Sequence, residues 1–525
     1  MKRHYPAATA VSPGAHVRVG YVLLFVAAIL FHGRYACHGL AMFDTGMLVA
    51  DVDRVLRGEV FGRDFMAPYG PGRYYLLALV FKLFGASLLT LAWTFAALRA
   101  LLDLLTYHLA RHFLPPLPAL LPVFLVGMAH GSLHKSFLAL SSLLVLLALV
   151  AFTRRQGRAA AMAVGSAAGI AFLLRYDAGV FGAVASCVTF AACGLARRVL
   201  WPVLGRQAIF ACLAALGLVG IAGGLLLASG MRPTWWWEMV WHRISIQEGI
   251  DHPFPWPLAS LRAGQKFAAL TGVYLLAAPL VFAVGAAQAW RWCRRPDKRE
   301  QGGALAGVVT MGVFLLNQAR LVPTFNHFLQ GAAPLFVVGA SALWAALSRL
   351  RARGGWSREL ANSIFLLPAG VIALHVVLGT HGTHPGSFTV REETDRLLAV
   401  PRARIFVPPH QASEVQRVLD LIGARTNADE SIVCSHSCPA FYFLSGRLPA
   451  LPFSEPSYYY RNDAVQRDLV ARLERSPPRL FIYDPNPVVG YSMDADAPIL
   501  LEALSSSMRP VAQIGSYIIY ERARE

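Results

Sequence analysis

Runs of apolar residues follow one another along the first 380 positions of the chain, separated by short polar segments. They cover residues 19–38, 87–110, 117–130, 133–152, 159–174, 178–195, 207–229, 267–290, 302–317, 329–347 and 360–379. A helix of about 20 apolar residues crosses the hydrocarbon core of a bilayer. The pattern therefore predicts a polytopic α-helical membrane protein with about 11 transmembrane helices, over residues 1–380.

The segment between the first two runs, residues 39–86, contains two stretches with a helical pattern, 46–57 and 72–84. Both are too short to cross a bilayer. The second has aromatic residues at its start and Lys82 near its end, which is typical of a helix that lies at the membrane surface. Segment 39–86 is therefore predicted to be an outer loop that carries juxtamembrane helices.

The tail, residues 381–525, has the alternating pattern of a separate domain. Helices are predicted over 411–426 and 463–475, and strands over 431–434, 479–484 and 517–520. Helix–strand alternation favours a partly parallel sheet. The tail is therefore predicted to be an α/β domain.

Composition and charge support the membrane assignment. Hydrophobic residues make up 56% of the chain and charged residues only 15%, against about 25% charged in soluble proteins. Residues 1–390 carry 33 basic and 13 acidic residues, and the basic clusters occupy every second junction between runs. The positive-inside rule then places the N-terminus inside and the tail outside the cytoplasmic membrane. The first run has the alternative of a cleaved signal peptide, and the charge distribution does not favour nucleic-acid binding.

Acidic, basic and histidine residues gather at the junctions predicted to lie outside. They are Asp44, Asp64, Arg73, His130, His134, Lys135, Arg175, Asp177, Arg320 and His327. Ionisable groups near membrane depth are costly and are usually functional. The junctions predicted to lie inside carry mainly basic residues and almost no acids. This difference between the two sides predicts a reaction site that faces outward.

Four segments, 43–46, 63–75, 175–179 and 320–334, carry a resemblance to a known superfamily. The chain resembles the GT-C membrane glycosyltransferases, which include protein O-mannosyltransferases and lipid A aminoarabinose transferases. The resemblance implies an inverting glycosyltransferase that moves a sugar from a polyprenyl-phosphate donor to an extracytoplasmic glycan, lipid or protein. It also implies Asp44 as the catalytic base. Transfer of the sugar from a lipid phosphate requires no metal, although a divalent ion is compatible with the chemistry.

The leaving lipid phosphate needs cations, and the planar fork of arginine suits a phosphate. Arg73, Arg175 and Arg320 are the candidates for donor phosphate binding, and Asp64, Asp177 and His327 are expected to support them. Each of the acids also has a structural alternative. Asp44 has the position of a helix N-cap, Asp64 can pair with Arg63, and Asp177 can pair with Arg175. Asp51 and Asp53 are interpreted as solvated.

Other polar groups allow competing interpretations. His130 and His134 have the spacing of metal ligands on a helix, although no nearby carboxylate completes a site. Cys434 and Cys438 favour a disulfide over a zinc site. Arg99 and Asp103 are four residues apart inside the second run. As a proton relay they would suit the alternative function, a membrane transporter or lipid flippase, but a structural pair is the favoured interpretation.

Overall fold

A helical region and a small α/β region make up the computed structural model. It describes residues 15–129, 133–197, 201–235, 254–321, 327–352, 394–454, 462–487 and 492–523, with positions 360, 363 and 365. The helices described up to residue 352 are α1 (Ala15–Ala36), α2 (Asp44–Leu56), α3 (Pro71–Phe84), α4 (Leu88–Ala110), α5 (Leu120–Gly127), α6 (Ser136–Arg155), α7 (Arg158–Leu174), α8 (Tyr176–Arg197), α9 (Trp201–Ala228), α10 (Pro257–Arg262), α11 (Lys266–Cys293), α12 (Arg299–Leu321) and α13 (Phe328–Ala352).

Eight of the described helices are long and apolar enough to cross a membrane, namely α1, α4, α6, α8, α9, α11, α12 and α13. Helix α7 is apolar but has only 17 residues. The last run expected to span, 360–379, lies almost entirely outside the described residues. The chain is thus a multi-pass helical membrane protein, as the sequence predicted.

The run at 117–130 does not form the single spanning helix that the sequence predicted. Helix α5 has eight residues, about 12 Å of helix at 1.5 Å per residue. Pro115, Pro116 and Pro118 precede it and lack the N–H that a continuous helix needs. At one end of this stretch His112 bonds Arg154, in the last turn of α6. Helix α5 is therefore too short to cross a bilayer, and most of its residues are buried.

The charged pair of the second run contacts a third residue. Asp103 Oδ2 in α4 lies 2.9 Å from Nε2 of His32 in α1, and both side chains are buried. Arg99 is buried on the same helix, and its charge acts on Asp103. The three residues join α1 to α4, which agrees with the structural interpretation of the pair.

The α/β region has the helices and strands that follow. They are β1 (Arg396–Leu398), β2 (Ile405–Val407), α14 (Pro409–Arg425), β3 (Ile432–Cys434), α15 (Ala440–Ser445), α16 (Asp463–Arg475), β4 (Leu480–Tyr483), α17 (Met493–Asp496), α18 (Pro498–Ser506), β5 (Arg509–Ile514) and β6 (Tyr517–Glu521). One sheet has the order β3-β4-β6-β5, with β3 and β4 parallel and the other pairs antiparallel. The expected partly parallel sheet is confirmed, whereas the sequence reading missed β1, β2 and β5.

The loop after α1 packs on the α/β region. Phe406 of β2 accepts a backbone hydrogen bond from Gly39 at 2.8 Å and donates one to Cys37 at 2.8 Å. Residues of α2, α3 and the α/β region belong to one apolar core, and the membrane helices form a second. Gly46 makes this docking possible, because a Cβ there would lie 2.3 Å from the amide nitrogen of Ala440.

Two further side chains, those of Asp53 and Trp235, are buried in this core. Asp53 is buried and ion-paired with both Arg57 and Arg402, so it is not solvated. Trp235 is buried with its ring 4.3 Å from that of Phe61. Trp236, Trp237 and Trp241 lie outside the described residues.

Cys434 and Cys438 are free thiols rather than the expected disulfide. Both are fully buried, and the Cys438 Sγ lies 3.7 Å from the carbonyl oxygens of Ser435 and Ile482. Burial raises the pKa of the Cys434 thiol well above its ordinary value. The Cys434 thiol is therefore held protonated in an apolar core.

Candidate active site

Helix α2 begins at Asp44 itself. The N-cap position belongs to Phe43, which makes no side-chain cap. Asp44 is therefore not the N-cap that the alternative interpretation required. Its side chain is 35% exposed, so the carboxylate is open to a second molecule.

His134 lies beside Asp44, in the short turn of 3-10 helix just before α6. Its Nδ1 is 3.9 Å from the Asp44 Oδ2, and its side chain is 3% exposed. Burial lowers the pKa of His134 well below its ordinary value, and the charges of Lys135, Arg73 and Arg175 act in the same direction. The imidazole is thus neutral at physiological pH, so it does not neutralise Asp44.

Arg73 is the most unusual charged group in this part of the molecule. Its side chain is 0% exposed, and none of its three nitrogens has a hydrogen-bond acceptor among the described residues. The guanidinium carbon lies 4.2 Å from the centre of the Tyr69 ring and 5.3 Å from that of Tyr74. Cation–π contacts of this kind compensate only part of the cost of burying a charge. Burial accordingly lowers the pKa of Arg73.

A second guanidinium contacts the same tyrosine. The Arg175 guanidinium lies 4.9 Å from the Tyr69 ring centre and forms a bidentate pair with Asp177, with distances of 3.0–3.1 Å. Gln318 of α12 donates a further hydrogen bond to Asp177. The expected ion pair is therefore present. Asp177 balances the charge of Arg175, whereas no carboxylate among the described residues pairs directly with Arg73.

The Tyr69 ring joins these groups into one cluster. Its centre is 5.8 Å from that of the His134 ring, and both arginines pack against it. We refer to Asp44, Tyr69, Arg73, His134 and Arg175 as the arginine–carboxylate cluster. It combines one exposed carboxylate with two buried guanidinium groups.

Glycine allows the loop that carries Tyr69 and Arg73 to approach Arg175. A Cβ on Gly70 would lie 2.3 Å from the carbonyl oxygen of Leu173, near the end of α7. The hydroxyl of Tyr176 also donates to the Pro68 carbonyl at 3.1 Å. The sequence Gly70-Pro71-Gly72 therefore brings distant segments of the chain together.

Asp51 lies on the same face of α2 as Asp44, two helical turns further along. It is 1% exposed, so the interpretation that it is solvated is wrong. Its Oδ1 has no hydrogen-bond partner among the described residues. Burial raises the pKa of Asp51 to about 7, against the opposing effects of the Ser454 hydroxyl and the charges of Arg54 and Arg73.

The remaining residues expected at the site have different surroundings. Asp64 pairs with Arg63 and accepts from the Val60 amide, and this pairing lowers the pKa of Asp64. Arg320 is exposed near the end of α12, 3.4 Å from Asn317 Oδ1. His327 is half-buried and its charge acts on His134. Asp64 thus matches its structural alternative, whereas His327 is close enough to influence the cluster.

Some residues at the site were not singled out from the sequence. Tyr69 and Gln318 were given no role, and the only specific role considered for His134, beyond its place among the outward-facing groups, was that of a metal ligand with His130, which lies outside the described residues. Within the described ranges, no group of three or more His, Cys, Asp or Glu side chains is arranged to hold a metal ion.

Comparisons with solved structures identify the fold. ArnT from Cupriavidus metallidurans bound to undecaprenyl phosphate is 14% identical, with a TM-score of 0.52, and the match covers 96% of this chain and 98% of ArnT. The oligosaccharyltransferase AglB from Archaeoglobus fulgidus, in complex with an inhibitory peptide and a dolichol-phosphate, is 13% identical, with a TM-score of 0.51 and coverage of 97% and 74%. No protein-family model and no curated protein matches the chain.

The architecture is that of a polytopic membrane protein with the GT-C fold, so the expected fold class is confirmed. The match extends over nearly the whole chain, including the α/β region.

Proposed function

We propose that this protein is an inverting glycosyltransferase that uses a sugar linked to a polyprenyl phosphate. The acceptor is an extracytoplasmic glycan, lipid or protein. The observation that carries the proposal is the arginine–carboxylate cluster, in which Arg73 is buried without a hydrogen-bond acceptor among the described residues.

A phosphate would supply the acceptor that Arg73 lacks. The cost of burying an uncompensated charge is several kcal/mol, and a phosphate oxygen offers a charge-assisted hydrogen bond in return. Solved structures with the same fold hold undecaprenyl phosphate and a dolichol-phosphate. We therefore assign Arg73 to the donor phosphate.

Arg175, which contacts the same Tyr69 ring, would bind the same phosphate. Its pairing with Asp177 fixes the plane of the guanidinium, so that its remaining N–H donors have a defined direction. Since Asp177 balances the charge of Arg175, the net positive charge of the arginine pair comes from Arg73. One net charge suits a phosphodiester, which carries one negative charge, better than a diphosphate.

Asp44 would act as the general base. The acceptor oxygen or nitrogen attacks the anomeric carbon, and Asp44 takes the proton that the acceptor loses. The bond between the anomeric carbon and the phosphate oxygen breaks, and its electron pair leaves with the polyprenyl phosphate. A single displacement inverts the anomeric centre, and the two guanidinium groups neutralise the charge of the departing phosphate. Neutral His134 leaves the negative charge of Asp44 available for this role.

The other assignments follow from position. Arg320 is assigned to donor phosphate binding, and His327 to hydrogen bonding with the donor or the acceptor. Asp64 is assigned to support of the outer loop, residues 39–86. The charge pattern of the junctions supports a cytoplasmic membrane location with the N-terminus inside. The cluster and the α/β region would then face outward.

Transfer can be measured directly with the purified protein in liposomes. The substrates are undecaprenyl phosphates that carry radiolabelled sugars, offered with glycan, lipid and protein fractions from the envelope of a strain lacking this protein. We expect label in one fraction, an equal amount of released undecaprenyl phosphate, and an inverted anomeric configuration by NMR. Movement of the intact lipid across the bilayer, with no sugar transferred to any fraction, would contradict the proposal and favour a flippase.

A further inference from the structure

Arg73, a member of the cluster, and Asp51, beside it on α2, are both buried and both carry polar atoms without a hydrogen-bond partner among the described residues. Asp51 Oδ1 and all three nitrogens of Arg73 have no hydrogen-bond partner among the described residues. Buried charges are normally paired or hydrogen-bonded. Helix α2, which carries Asp51, packs against α3, which carries Arg73, in the same apolar core.

The charge of Asp51 acts on Arg73, and the charge of Arg73 acts on Asp51. Two further charged groups act on Asp51, namely Arg54 of its own helix and Glu59 of the following loop. Arg54 is already paired with Glu59 and donates to the Leu451 carbonyl at 2.9 Å. Arg73 is thus the cation near Asp51 whose charge no other described carboxylate neutralises by direct pairing.

We infer that Asp51 is a positioning residue that acts through Arg73 and sets how strongly the donor phosphate binds. When Asp51 is ionised, its negative charge compensates Arg73 and repels the incoming phosphate. When Asp51 is protonated, the full charge of Arg73 is available to the phosphate. This inference rests on the proposed function, because it takes Arg73 as a ligand of the donor phosphate.

The sign of the pH dependence follows from these charges. Below about pH 7 the side chain of Asp51 is neutral, and above it the side chain is ionised. Donor affinity therefore decreases as the pH rises through 7. By linkage, a phosphate bound at Arg73 favours the protonated form of Asp51, so donor binding near neutral pH takes up a proton from solvent.

The test uses undecaprenyl methyl phosphate, a phosphodiester that keeps one negative charge throughout the pH range and carries no sugar to transfer. Its dissociation constant is measured for the full-length protein in nanodiscs from about pH 5.5 to 8.5. We expect the affinity to fall about tenfold or more across this range. In Asp51→Asn we expect the low-pH affinity of the original protein at every pH.

Asp53→Asn is the matched control. Asp53 is a buried acid of the same helix, but it pairs with Arg57 and Arg402. This variant should keep the full pH dependence, even if its thermal stability falls. His327→Gln tests a second titratable group whose charge acts on the cluster, and it should keep the dependence. A flat pH profile in the original protein, or an unchanged slope in Asp51→Asn, would overturn the inference.

A measurement on the unaltered protein covers the case in which Asp51→Asn does not fold. Calorimetry of probe binding at pH 7, in buffers with different ionisation enthalpies, reports the number of protons taken up. Uptake of a substantial fraction of a proton supports the inference, and no uptake overturns it. If the probe binds at no pH, the proposed function itself fails. If it binds without pH dependence, only the role of Asp51 fails.

Discussion

Replacement of Asp44 by Asn should lower sugar transfer by about 10³-fold, the scale expected when a general base is removed. The amide has nearly the same shape but cannot accept the acceptor's proton. Since the carboxylate is not part of the arginine pair, the affinity for undecaprenyl methyl phosphate should remain within about twofold, or rise slightly with the loss of a nearby negative charge. Transfer kinetics and probe binding on the same preparation check both expectations.

A matched control is Asp463→Asn. Asp463 is an exposed acid at the start of α16, paired only with Arg467 among the described residues, and its replacement should leave transfer unchanged. Asp44 would be removed from the mechanism if Asp44→Asn folded, bound the probe and retained near-normal turnover.

Replacement of Arg73 by Met should have opposite effects on binding and on stability. Met fills a similar volume without a charge, so the cost of burying an uncompensated guanidinium disappears. We expect the thermal unfolding temperature without donor to stay the same or to rise. Donor affinity should fall by about 100-fold, because charge-assisted hydrogen bonds to a phosphate contribute roughly 1.5–3 kcal/mol each. Thermal unfolding and probe binding measure the two effects.

Arg63→Met serves as the control for Arg73. Arg63 belongs to the same loop, but it is exposed and paired with Asp64. Surface ion pairs of this kind contribute at most about 1 kcal/mol, so the variant should bind the probe normally. An Arg73→Met protein that unfolds far below the original temperature would show that Arg73 has a structural role. One that binds the probe as well as the original protein would show that Arg73 is not a ligand of the donor phosphate.

The elements that carry the site were largely predictable, because local patterns determine them. The helical stretches 46–57 and 72–84 correspond to α2 and α3. The spacing of Arg175 and Asp177 correctly indicated an ion pair. In each case the interacting residues are close in sequence, so a pattern within one window is sufficient.

The burial of Asp51 and Asp53 could not be predicted in this way. Both have the sequence context of solvated helix residues, but segments more than 340 residues later contact them. Arg402 Nη1 lies 2.9 Å from the Asp53 Oδ1, and the Ser454 hydroxyl acts on Asp51. Long-range docking of this kind leaves no trace in local periodicity.

The position of His134 depends on the same kind of contact. The sequence related it to His130, four residues earlier, whereas its neighbours in space are Asp44 and Tyr69. These contacts require segments 44–69 and 133–135 to converge at one end of the helical region. Only the packing of the membrane helices determines that convergence.

The position of the phosphate in a complex tests the central claim most directly. An electron cryomicroscopy structure of the full-length protein with undecaprenyl phosphate should show the phosphate within hydrogen-bond distance of the Arg73 and Arg175 guanidinium groups. The Asp44 carboxylate should face the same space. A phosphate bound elsewhere, with Arg73 still enclosed by Tyr69 and Tyr74, would contradict this account.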